Sequence, residues 1–318
     1  MNRDDLDRRS FLKTTVGTTV AAALGGVAGS WARAAETYGK MPMRTLGATG
    51  LKVSLIGLGG FHAAVPNLKD EDAIALMHRA LDLGINFLDN ADCYHNGRAE
   101  ELMGKAIEGR RQKLVLMTKV DPRDAKASRE TLERSLRRLR TDYIDIWQFH
   151  HLDDLAELDK VLGPGGAMET AEKAKKEGKI RFVGMTGHNF ETQLEMTKRY
   201  PLDTYMMTLN CVDPHFRSFR KNVVDEAVKK NAGIIAFKTM AAGNLLSLNV
   251  AKADEALRWV WSQPVGVAVS GMDRMEVLNY NVYLAKNFQP MPENEQAALL
   301  ERTRPRAGTA VESYKRRP

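Results

Sequence analysis

The sequence is short of cysteine, with only Cys93 and Cys211 in 318 residues. Neither their number nor their spacing makes a zinc site or a disulfide scaffold. Long hydrophobic runs are also missing. The most apolar early stretch, VGTTVAAALGGVAG, is too short and too rich in Gly and Thr to span a bilayer well. Basic residues are scattered among acids, with no stripe interleaved with aromatics, so a nucleic-acid surface is not expected. No low-complexity linker interrupts the chain, which argues for one domain. A G-x-G-x-x-G turn is lacking after the first apolar segment; IGLGGFH (56–62) is a poor match, which weighs against a doubly wound open sheet.

The first 34 residues read as a segment apart from the fold. DRRSFLK (7–13) precedes the mildly apolar run, and ARA (32–34) follows as a small-residue cleavage signature. Arg8-Arg9 with Phe11-Leu12-Lys13 resembles a twin-arginine export signal, with Asp7 where Ser or Thr is usual. That resemblance implies recognition by the twin-arginine machinery, cleavage near Ala34, a periplasmic or otherwise exported protein with no stable membrane anchor after cleavage, and folding before export with a cofactor aboard. The whole chain carries +7, and the remainder after Ala34 about +5.

What is present is an alternation. MRTLGATGLKVS reads as a β-hairpin. Short apolar segments then recur: LIGLGG, INFLD, LVLMTK, IDIWQFH, IRFVGMT, TYMMTLN, IIAFK and VGVAVS. Between them lie stretches with apolar residues at helical spacing, such as 70–83 and 129–139. Near-continuous apolar strands are those of a parallel sheet buried on both faces. Eight such units over about 250 residues predict a (β/α)8 barrel, here over residues 43–290. Residues 291–318 are read as a C-terminal tail.

In such a barrel the carboxyl ends of the strands carry the chemistry. Asp89, Lys119 and His150 stand at three of those ends, and Tyr94 lies in the loop just beyond Asp89. A lysine ammonium beside a phenol lowers its pKa, and a carboxylate keeps the lysine charged. Tyr94 is thus expected to be a general acid, with His150 bonding the substrate oxygen. No strong nucleophile is in view. A carbonyl carbon needs a hydride, which no side chain supplies, so a nicotinamide cofactor is expected.

LDNADCY…RAEELMG, LMTK, DYIDIWQFH, VGMTGH and FKTMAAGNLL, in that order, resemble the aldo-keto reductase superfamily from about Met43 to Asn287. The resemblance implies reduction of small-molecule aldehydes and ketones, or the reverse, with Tyr94 as proton donor. It implies Thr186 and Gly187 beside the nicotinamide carboxamide, although Gly187 and His188 stand where an asparagine is usual, and Asn210 beneath it. Lys238, Met240 and Gly243 fall in the pyrophosphate loop. Ser270, Gly271, Met272, Arg274 and Asn281 fall where the adenosine end is gripped. Val277 occupies a position where a basic residue often selects the 2′-phosphate; Arg274 can compensate, so NADPH is expected ahead of NADH. The superfamily also includes accessory subunits with little turnover, and an exported cofactor-binding sensor is the alternative function.

Plainer roles compete with these. Adjacent His150 and His151 point to opposite sides of an extended strand and cannot easily chelate one ion, so no metal is expected; a metal-dependent hydrolase is the third reading. His62 either lines the pocket or packs in its loop. Asp142 and Asp145, at the start of a strand, are read as structural, Trp259 and Trp261 as helix packing, and Cys93 as a buried or idle thiol. Substrate choice is assigned to loops 61–69, 151–164 and 212–222.

Overall fold

The computed structural model describes residues 39–315. The expected export signal at 1–34 lies outside them. The chain opens with an antiparallel pair, β1 (Met43–Thr45) and β2 (Lys52–Ser54). Eight parallel strands follow: β3 (Ile56–Gly59), β4 (Phe87–Asp89), β5 (Val115–Val120), β6 (Ile144–Phe149), β7 (Ile180–Thr186), β8 (Thr204–Thr208), β9 (Gly233–Phe237) and β10 (Val267–Gly271). They close into a barrel in chain order, with β10 paired to β3 through Ala268↔Ile56 and Ser270↔Leu58. The (β/α)8 barrel with an N-terminal hairpin is therefore the fold.

Period-2 alternation explains where each strand residue goes. Phe87, Val115, Met117, Ile146, Met206, Ile235, Val267 and Val269 fill the barrel interior. Leu46, Leu51 and Val53 of the hairpin join that cluster and plug the amino-terminal mouth. Arg44 ties the hairpin down by donating to the carbonyls of Trp261 (2.6 Å) and Val265 (2.8 Å). On the outer faces, Trp147, Phe149, Leu116 and Val120 meet the helices in one continuous core. Trp259 and Trp261 are buried in that layer, as helix packing requires. Asp145 is buried at the start of β6 and pairs with Arg111 (2.8 Å) and Arg181 (2.7 Å), a structural role.

Several helices differ from their sequence reading for local reasons. The helix expected over 129–139 begins earlier, at Ala125, and runs to Arg138 (Ala125–Arg138). Asp124 caps it by accepting from Ala127 N–H at 2.8 Å, which the leucine stripe alone does not reveal. A helix also forms at Leu155–Leu162, inside the segment read as a loop, where Asp154 accepts from Ala156 N–H at 2.6 Å. Part of the segment read as a tail is a helix, Glu293–Thr303, followed by a strap whose Val311, Glu312 and Lys315 are buried.

The strap is held by charge in the interior. The Lys315 ammonium donates to Asp213 Oδ1 (2.5 Å), Glu312 Oε2 (3.1 Å) and the Phe216 carbonyl (3.1 Å), with no solvent exposure on any of the three side chains. Asp213 in turn accepts from Ser218 Oγ and from the N–H groups of Phe219 and Arg220. The strap up to Lys315 is thereby locked onto the turn after β8.

Candidate active site

The interior alternation that packs Val115 and Met117 continues to Lys119, which is fully buried at the carboxyl end of β5. In the same way Phe87 leads to Asp89 on β4, and Ile146 and Gln148 lead to His150 just past β6. These neighbouring strands bring the three residues to one rim. The Lys119 ammonium donates to Asp89 Oδ1, to the Asn90 carbonyl (2.6 Å) and to the Tyr94 hydroxyl (3.0 Å). Tyr94 packs edge-on against His150 (centroids 5.8 Å apart) and Phe61 (5.3 Å). The four expected residues thus converge.

Their electrostatics correct one expectation. Burial pushes the Tyr94 phenol up to about 12, and the pull of Lys119 downward does not overcome it. The expected lowering exists as a contribution but loses to desolvation. Tyr94 is therefore firmly protonated near neutral pH, the form a proton donor needs. Burial works against the Lys119 charge, yet Asp89 and the Tyr94 oxygen outweigh it and hold the ammonium above its ordinary value. Burial raises the Asp89 carboxyl, with Lys119 opposing; the ammonium, held by three oxygens, makes the pair ionic.

His150 is buried and pushed down to about 4, so it is neutral. Its Nδ1 lies 3.0 Å from Asp121 Oδ1. A carboxylate only accepts, so Nδ1 carries the hydrogen and Nε2 is left bare. Although burial acts upward on Asp121, the hydrogen bond from His150 and a further one from Cys93 bring it down to about 2. Asp121 was not singled out in the sequence; its position two residues past Lys119, on the functional rim, is the signal that could have found it. Cys93 is exposed as a residue, but its sulfur is half-buried against His150, and that burial together with the Asp121 charge pushes the thiol up to about 12.

The loop that carries Tyr94 is clamped from the next helix. Asp92 takes two bonds from Arg134 (2.8 Å each) and one from Arg138 (2.7 Å). His95, Asn96 and Gly97 all have positive φ, and a Cβ on Gly97 would stand 2.1 Å from the Arg138 guanidinium carbon. These two arginines, carried on the helix Ala125–Arg138, set the loop. Replacing Arg138 with alanine should lower kcat by about ten- to a hundredfold by loosening Tyr94, with the melting temperature only slightly changed; steady-state kinetics beside a thermal melt checks this.

A cavity of about 460 Å³ opens at this rim. It is lined by Tyr94, Lys119 and His150, by His62 and Phe61, and by the expected cofactor residues Thr186, Lys238, Met240, Gly243, Ser270, Gly271 and Arg274. The loop after β9 suits a polyanion: Lys238, Ala241, Ala242 and Gly243 have positive φ and mostly small side chains. Gly187, Asn210, Met272 and Asn281 do not line the cavity. Gly187 packs on the turn at Leu152–Asp153. Asn210 donates to Glu312 (2.8 Å) and Tyr314 (3.1 Å) of the C-terminal strap. Met272 is in the core. Asn281 is buried, donates to Ser270 Oγ (3.1 Å), and its own oxygen has no partner among the described residues.

Of Gly187 and His188, the pair expected where an asparagine is usual, His188 reaches the cavity. Its Nδ1 lies 3.6 Å from Asp153, and its buried Nε2 has no partner among the described residues. His188 also stacks with His151 (5.3 Å) and lies 5.6 Å from the Tyr314 ring. The unpartnered His188 nitrogen in the cavity and the left-handed loop fit a nicotinamide dinucleotide. Arg274 pairs with its neighbour Asp273 at 3.1 Å, which offsets part of its charge.

Comparison with known proteins agrees with this geometry. Residues 55–255 match the aldo/keto reductase family. The chain is 28% identical over 309 residues to the uncharacterized oxidoreductase YqkF of Bacillus subtilis, covering 83% of this chain and 97% of that one. It is 30% identical to L-galactose dehydrogenase of Arabidopsis thaliana, over 65% of this chain and 67% of the other. The structure of the aldo-keto reductase AKR11C1 from Bacillus halodurans, in its holo form, superposes with a TM-score of 0.70 at 25% identity, covering 87% of this chain and all of that one. With a closed barrel, a Lys119–Tyr94–His150 rim and a family match across most of the barrel, the chain belongs to the aldo/keto reductase family and is a nicotinamide-dependent oxidoreductase.

Proposed function

We propose that the protein interconverts a small carbonyl compound and its alcohol, using NADPH in preference to NADH. The observation that carries this reading is the Lys119–Tyr94 contact at 3.0 Å inside the lined cavity. When bound, the cofactor supplies or takes the hydride. The chain's own part is the proton. Tyr94, protonated by its burial, gives its hydrogen to the developing alkoxide, and Lys119 stabilises the phenolate that remains. His150, fixed by Asp121 with Nε2 bare, accepts a hydrogen bond from a substrate hydroxyl. That tautomer favours recognition of the alcohol form and supports a reversible reaction. Thr186 and His188 would hold the carboxamide end. Lys238 and the loop to Gly243 would hold the pyrophosphate, and Ser270, Gly271 and Arg274 the adenosine end.

A panel of aldehydes, ketones and the matching alcohols, followed by reduced-nicotinamide absorbance with each nucleotide, tests the reading. Turnover of at least one pair is expected, with a lower KM for NADPH. Tight nucleotide binding with no turnover of any compound would instead make the protein a cofactor-binding sensor.

The proposal includes export of the folded protein through the twin-arginine route, supported by Arg8-Arg9 and the ARA sequence at 32–34. Changing Arg8 and Arg9 to lysine should retain the protein uncleaved in the cytoplasm; unchanged fractionation would refute that address.

A further inference from the structure

Cys93, Asp121 and His150 form a second constellation that the proton transfer does not explain. They come from the loop after β4 and from the ends of β5 and β6, three consecutive barrel strands. Their ligating atoms all lie within 4.8 Å of one another. Cys93 Sγ is 3.6 Å from His150 Nδ1, and that nitrogen is 3.0 Å from Asp121 Oδ1.

A tetrahedral zinc ion with ordinary bond lengths separates a thiolate sulfur from an imidazole nitrogen by about 3.5 Å, and that nitrogen from a carboxylate oxygen by about 3.3 Å. Both observed separations fall within a few tenths of an ångström of these values. The positions are also set by the backbone. His150 N–H donates to the Val120 carbonyl (2.9 Å), Arg123 grips the Asp121 carbonyl (2.5 Å), and the Cys93 turn is fixed by Tyr94 N–H on the Ala91 carbonyl (3.1 Å). Cys93 is exposed and Asp121 half exposed, so an ion has a path in from solvent.

We propose that Cys93, Asp121 and His150 bind a borderline-soft divalent cation, with zinc the best fit, and that occupancy switches the enzyme off. Cys, His and Asp is a zinc donor set, and three protein ligands leave the fourth position to water. Binding exchanges protons for the metal. The thiol hydrogen is released to solvent, and the hydrogen on His150 Nδ1 is given up while Nε2 gains one. His150 then presents a donor to the cavity where it presented an acceptor, and the dication sits beside Tyr94. The negative charge of Asp121 disfavours a free thiolate, but it attracts the metal that generates one.

A neighbouring trio, His151, Asp153 and His188, is a poorer candidate. Its two imidazoles are stacked at 23°, so their in-plane lone pairs do not meet at one ion.

Cobalt is the probe, added to tag-free protein. The wild type should bind one Co2+ with visible tetrahedral bands and a near-ultraviolet thiolate charge-transfer band, and zinc should displace it. Cys93→Ser should lose the charge-transfer band and weaken zinc binding, measured by calorimetry, by about tenfold or more. Buried Cys211 is untouched in that variant, so a band that persists would overturn the site, as would its absence from wild type. The inhibitory half rests on the proposed carbonyl chemistry. Zinc should slow wild-type turnover and spare Cys93→Ser, whose activity without metal should match wild type. Equal inhibition of both would sink the switch; the cobalt spectra judge the site separately, even if no carbonyl substrate is found.

Discussion

Replacing Tyr94 with phenylalanine should lower turnover by about 10²- to 10⁴-fold and leave nucleotide affinity nearly unchanged. The substitution is clean because the hydroxyl is the only atom lost. The ring keeps its edge-on contacts with Phe61 and His150, at 5.3 and 5.8 Å. Lys119 keeps Asp89 and the Asn90 carbonyl as partners and remains an ammonium. What disappears is the phenolic hydrogen that the proposed proton transfer uses. His150 cannot replace it, since its single hydrogen is committed to Asp121 and its other ring nitrogen is bare. A variant that bound nucleotide normally and retained turnover within tenfold of wild type would remove Tyr94 from the mechanism.

Replacing Lys315 with methionine should destabilise the protein by about 3–5 kcal/mol, a drop of roughly 10 °C in melting temperature. The size follows from what is left behind. Asp213 and Glu312 are both without solvent exposure, and the ammonium that pairs with both is removed. Burial already pushes the Glu312 carboxyl up, with Lys315 opposing; without the lysine, Glu312 must take a proton or move. Exchanging Glu312 for glutamine in the same chain should recover part of the loss, because a neutral amide still partners Asn210. The strap also sets Tyr314, 5.6 Å from both the His188 ring and the Lys238 ammonium, so nucleotide affinity should fall in the single variant. A melt within about 2 °C of wild type would show that the buried triad contributes little.

Much of the site was legible because a barrel strand has a rigid period of two. Once INFLD, LVLMTK and IDIWQFH are read as strands, Asp89, Lys119 and His150 must face inward at one rim. Asp121 lies one step beyond a strand, where the chain leaves the period, so periodicity does not place it. Spacing does not single out Arg134 and Arg138 either: on a helix surface, a solvated arginine and one gripping a distant loop recur at the same interval. Of the two roles expected for Cys93, the exposed position excludes a buried thiol.

The sequence by itself determined the alternation of strand and helix, the barrel that follows from it, and the identity of the four rim residues. These depend on local periodicity, which the chain carries in its own order. Only the tertiary structure decided that Tyr94 is held protonated, that Asp121 chooses the tautomer of His150, and that the last residues bury a lysine 102 positions from its aspartate. Those outcomes depend on desolvation and on contacts between residues far apart in the chain. Neither quantity exists until the chain has closed on itself.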